Sequence, residues 1–125
     1  MLFDTNFLID LGRELETRTI GPARRFLGAH RDQRHCVSVI SLGELAAGMA
    51  DNQQARDFVE RFRVTALNAE IALAAADVDR ELMRQGHRLG ENDTWIAGFA
   101  RYYGLPVVSN DGDFDRVASL RRLTY

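Results

Sequence analysis

The chain has 125 residues, 46% of them apolar and 27% charged, with a formal net charge of −2. This is enough chain for one domain with a real core, and the charge excludes a generally basic nucleic-acid binder. The single cysteine, Cys36, excludes an intrachain disulfide and a zinc knuckle.

Met1 to Ile9 read as a short buried strand that ends on Asp4 and turns into a helix from Phe7 to Glu14, with Phe7, Leu8 and Leu11 on one side. Pro22 suits the first turn of a second helix running to about Gln33. The β-branched run His35 to Ile40 predicts a second strand. Ser41-Leu-Gly-Glu44 then opens a third helix through Met49, and Asp51 to Gln54 is a polar break. A fourth helix is expected from Ala55 to about Arg63, and a short strand from Val64 to Leu67. Ile71, Ala75, Val78 and Leu82 form the stripe of a long helix that starts at Asn68 or Ala69 and reaches about Gln85. Glu91 to Tyr103 is another helix, started by Asn92 or nearby and stopped by Gly104. Leu105 to Ser109 reads as a strand, Asn110 to Asp115 as a polar loop, and Leu120 to Tyr125 as a last edge strand. Alternating strands and helices imply an α/β fold with a mostly parallel sheet, in one domain over residues 1–125.

The first apolar stretch is short, carries Asp4 and Asp10 and lacks a basic lead, unlike a signal peptide. The alanine run Ala72 to Ala76 is flanked by Glu70 and Asp77, unlike a membrane span. With the lone cysteine, these features lead us to expect a cytoplasmic protein and no membrane partner. All sixteen basic residues are arginine. Arg24, Arg25, Arg31 and Arg34 gather around one helix and its following turn, where a solvated face is the ordinary explanation and phosphate contact the alternative. A polyanionic substrate would need such a patch, or a metal ion, to offset repulsion.

Four acidic positions carry the functional reading. Asp4 ends the first strand; it also suits an N-cap, although Thr5 and Asn6 could cap equally well. Glu44 stands three residues after Ser41, which is the capping-box spacing. Asp93 falls in the first turn of an apolar helix, where any acid gains from the helix N-terminus. Asp111 and Asp113 lie in a turn-like loop after the strand that ends at Ser109. Each has an ordinary structural explanation. Jointly they fall at strand ends or helix starts, where open α/β sheets place their ligands. Gathered carboxylates repel one another and become costly to ionise. A hard divalent cation relieves that cost, and an all-oxygen ligand set favours magnesium, with manganese as a substitute, over zinc.

The order Asp4-Thr-Asn, Ser41-x-x-Glu44-Leu, Asp93-x-x-Ile96-Ala and Val108-Ser-Asn-Asp-x-Asp113-Phe resembles the PIN domain, and within it the VapC-type toxin ribonucleases of type II toxin–antitoxin pairs. The similarity spans the whole chain. It implies an α/β/α sandwich around a central parallel sheet and an acidic pocket that binds magnesium or manganese and cleaves RNA endonucleolytically. The family's first three acids fall on Asp4, Glu44 and Asp93. Its fourth falls on Asp111 or Asp113, since this loop satisfies both forms of the family pattern. Ser109 replaces the commoner threonine and keeps the hydroxyl. Asn6 matches the family's Asp-x-Asn and would orient Asp4 or a water. The resemblance also implies a homodimer and a cognate VapB-like antitoxin whose tail brings a basic residue to the pocket. DNA would be met only through that antitoxin.

Together these readings imply hydrolysis of RNA phosphodiesters by metal-activated water. Asp4 and Asp93 are the expected direct metal ligands, because both come from rigid element ends. Glu44, Asp111 and Asp113 would bind a second ion or act through water. Two other readings compete. A metal-dependent phosphatase of the haloacid-dehalogenase type would need a second aspartate where Asn6 stands, and a lysine that the chain lacks. A PIN-like RNA-binding or interaction module with weak catalysis is opposed by the full set of acids.

Overall fold

Side-chain alternation across neighbouring strands sets the layering. A computed structural model describes all of residues 1–125. Its strands are β1 (Leu2–Phe3), β2 (Cys36–Ser38), β3 (Arg63–Thr65), β4 (Val107–Val108) and β5 (Arg122–Leu123). They form one sheet in the order β3-β2-β1-β4-β5, and every neighbouring pair is parallel. Leu2 registers with Cys36 and Val107, and Phe3 with Val37 and Val108. Successive strand residues face opposite ways. Leu2, Cys36 and Val107 therefore enter one core, and Phe3, Val37 and Val108 enter the other.

The helices are α1 (Thr5–Glu16), α2 (Pro22–Ala29), α3 (Val39–Ala47), α4 (Asn52–Val59), α5 (Ala69–Arg84) and α6 (Glu91–Tyr103). Phe7, Leu8 and Leu11 of α1, with Leu45 of α3 and Val59 of α4, fill the core on one face of the sheet. Ile71, Val78 and Leu82 of α5, with Ile96 and Phe99 of α6, fill the other. The result is an α/β/α sandwich, as the resemblance implied. On the second face, α5 and α6 touch at Gly98. A Cβ added there would stand 2.6 Å from the Ala75 Cβ and 2.8 Å from its Cα. That close approach seats α6 against α5 and so helps place the acid-bearing start of α6. No helix is long and apolar enough to cross a membrane.

Several boundaries differ from the sequence expectation for local reasons. The second strand stops at Ser38, and Val39 and Ile40 are helical. Ser38 caps α3 by accepting a hydrogen bond from the Ser41 N–H at 3.0 Å. A side-chain cap at the strand end overrides the β-propensity of the next two residues. The expected capping box from Ser41 to Glu44 is therefore absent, and Glu44 lies in the second turn of α3, not the first. Asp51 caps α4 through the Gln54 N–H at 2.8 Å, so that helix begins inside the expected polar break. Helix α2 ends at Ala29, β3 begins at Arg63, and α6 is preceded by Gly90 instead of being capped by Asn92. The loop after Ser109 contains a short 3₁₀ turn, Gly112–Arg116.

Candidate active site

The strand order reverses between β1 and its neighbour β4, and the crevice at the carboxyl ends of those strands is where such sheets bind ligands. Asp4 leaves β1 into this crevice and is only 2% exposed. Its Oδ1 accepts the Phe7 N–H at 2.7 Å, so it is indeed the N-cap of α1. Its Oδ2 accepts the hydroxyl of fully buried Ser109, at the end of β4. One side chain thus serves as cap and as pocket acid. Burial pushes its pKa up to about 6; the two hydrogen bonds oppose the rise, and Asp93 and Asp111 add to it.

Asp93 enters from the first turn of α6 and is half-buried. No hydrogen-bond donor of the protein reaches its carboxyl group. Burial raises its pKa, followed by the charges of Asp111, Glu44 and Asp113. Glu44 reaches across from α3. Its Oε2 accepts the Thr5 hydroxyl and its Oε1 accepts the Asn92 amide at 2.6 Å. The structure therefore brings Asp4, Glu44, Asp93, Asp111 and Asp113 to one edge of the sheet.

The two loop acids are not equivalent. Asp111 caps the 3₁₀ turn through the Asp113 N–H at 2.8 Å, and its own N–H donates to the Ser109 hydroxyl oxygen at 3.0 Å. Its charge acts on both Asp4 and Asp93. Asp113 acts on Asp93 and is paired with Arg116 at 3.1 Å. Asp111 is thus the more central acid. Asn6 is exposed and makes no hydrogen bond to Asp4, whose orienting donors are Ser109 and the Phe7 N–H.

No three acidic, histidine or cysteine side chains stand close enough to enclose a cation unaided. The carboxylates nonetheless lie near enough to shift one another's ionisation. An all-oxygen set, with one half-buried carboxylate lacking any donor, suits a hard cation that retains part of its water.

A model of the PIN domain matches residues 1–120. The chain belongs to the PIN domain family. Its relatives place it with the VapC type. Ribonuclease VapC2 of Haemophilus influenzae is 31% identical over 96% of this chain and 93% of its own length. The tRNA(fMet)-specific endonuclease VapC of Shigella flexneri is 36% identical over 69% of this chain and 71% of its own. Among solved structures, the DNA-bound VapBC of Salmonella typhimurium superposes with a TM-score of 0.80 at 27% identity, covering 98% of this chain and 96% of that one.

Sequence reasoning missed the groups that hold the acids in this PIN domain. In the sequence Thr5 and Asn92 read only as helix caps, yet both donate to Glu44. Arg122 pairs with Asp115 through two hydrogen bonds and donates to the Ser109 carbonyl at 3.2 Å, bracing the loop behind the acids. Tyr125 donates its hydroxyl to Asp10 at 2.8 Å and its N–H to Asn110 at 3.1 Å. No spacing rule links these pairs. Arg24 and Arg25 donate to the Thr19 and Ile20 carbonyls, at 2.6 and 2.8 Å, and join none of the ion pairs.

Proposed function

We propose that this chain is a magnesium-dependent endoribonuclease, the toxin of a VapBC-like toxin–antitoxin pair. The observation that carries the reading is the convergence of Asp4, Glu44, Asp93 and Asp111 at the switch point, with Asp93 left without a hydrogen-bond donor. The relatives, a ribonuclease and a tRNA-specific endonuclease, support a nuclease with RNA as substrate. The VapBC complexes among similar structures support a VapB-like antitoxin as partner, and we extend the reading to a homodimer in the cytoplasm.

Asp4 and Asp93 would hold the cation directly, with Asp111 and Glu44 acting directly or through water and Asp113 at the margin. Bound there, magnesium or manganese would neutralise charge on a phosphate and lower the pKa of an attacking water. The protein's own contribution is orientation. Ser109 and the Phe7 N–H fix the Asp4 carboxylate, so no rotamer freedom is lost when the site fills. Burial excludes bulk water from Asp4 and strengthens its attraction for a cation.

Incubation of purified protein with RNA, across a magnesium titration and with EDTA as control, tests the reading. Cleavage should appear with magnesium, vanish with EDTA and be absent from Asp4→Asn. Metal-independent cleavage, or an active folded Asp4→Asn, would overturn it.

A further inference from the structure

Glu44 is held from both sides by side chains of other helices. Thr5 is the first residue of α1, adjacent to Asp4, and Asn92 is the second residue of α6, adjacent to Asp93. The Thr5 hydroxyl donates to one Glu44 oxygen and the Asn92 amide to the other, at 2.6 Å. One carboxylate on α3 thereby ties together the helix starts that carry the two principal acids. Asp4 and Asp93 repel one another, and no hydrogen bond of either carboxyl group reaches the other's helix to restrain the spacing. The Glu44 bridge runs beside them and supplies that restraint.

We propose that Asn92 is a positioning residue of the acid site, acting through Glu44: with Thr5 it clasps the glutamate and fixes the start of α6 relative to α1, and so the placement of Asp93 against Asp4. This rests on the metal-nuclease reading above. It assigns a role to a side chain that the acidic motif itself does not include. Groups that orient metal ligands characteristically set affinity without touching the metal.

The test is manganese binding to the metal-stripped protein, followed by electron paramagnetic resonance in the absence of RNA, with thermal unfolding alongside. Asn92→Ala should weaken manganese binding by about tenfold, with a thermal midpoint within about 4 °C of the parent. Thr5→Val should weaken it similarly, and Thr5→Ser should restore it. In a Glu44→Ala background, Asn92→Ala should have no further effect, because the group it acts through is gone. Equal affinity of Asn92→Ala and parent overturns the clasp, as does an undiminished Asn92→Ala effect without Glu44. A parent protein that binds no manganese overturns the metal reading and the clasp with it.

Discussion

Glu14 and Asp93 are both carboxylates set beside the start of a helix, and the fold treats them oppositely. Glu14 is 9% exposed and accepts the N–H groups of Gly21, Ala23 and Arg24, at 3.1, 3.0 and 2.9 Å. It supplies the cap that Gly21 cannot, since α2 has no capping side chain of its own. Space is committed there too: a Cβ on Gly21 would lie 2.1 Å from the Glu14 Oε1. Asp93, half-buried at the start of α6, receives no such donors and faces other acids instead. A saturated carboxylate holds two helices together. An unsaturated one, kept near like charges, stores an attraction for a cation. The same functional group thus serves stability at the α1–α2 junction and, in the function proposed above, chemistry at the sheet edge.

The largest effect should come from the chemical side. Asp4→Asn preserves an acceptor for capping but removes a charge, and should lower RNA cleavage by at least about 10³-fold in a single-turnover assay. Breaking the structural seat should be felt as stability. Glu14→Ala strands the N–H groups at the start of α2 and should cost about 2–4 kcal/mol in urea unfolding, with Gly21→Ala in the same range because its Cβ must displace the carboxylate.

The contrast sharpens with pH. Asp4 has a folded pKa of about 6, above the ordinary aspartate value, so the folded state binds the extra proton between the two. Stability of the metal-free protein from this group is therefore full below about pH 4 and declines as pH rises through about 6. Relative to the parent, Asp4→Asn should be more stable by about 2–3 kcal/mol at pH 7.5 without metal, and by little at pH 4. Denaturant melts at both pH values check the sign; a parent that gains stability over Asp4→Asn on raising the pH contradicts it. The smallest effect should be at the margin. Asp113 is already paired with Arg116, so Asp113→Asn should change manganese affinity by less than about threefold. Asp111→Asn should weaken it more.

What the sequence disclosed follows from how clear a local signature each interaction leaves and how far apart the interacting residues lie. Asp4, Asp93 and the loop acids were legible because strand ends and helix starts leave local signatures, and open α/β sheets collect such ends on one edge. The layering was legible in the apolar runs around Leu2, Val37 and Val107. The start of α3 was not, because Val39 and Ile40 favour strands and the deciding group, the Ser38 hydroxyl, acts locally on Ser41. Glu44 was found, but its capping-box explanation depended on that misplaced helix start. Its real donors are 39 and 48 positions away in the chain, beyond any periodicity.

The bond between Ser109 and Asp4 joins residues 105 positions apart. It can form only after β4 has docked beside β1, and parallel pairings between distant segments are slow to form. A nascent polypeptide still lacking that strand carries its first acid with only the Phe7 N–H to orient it. Completion of the acidic cluster therefore waits on the docking of β4 beside β1.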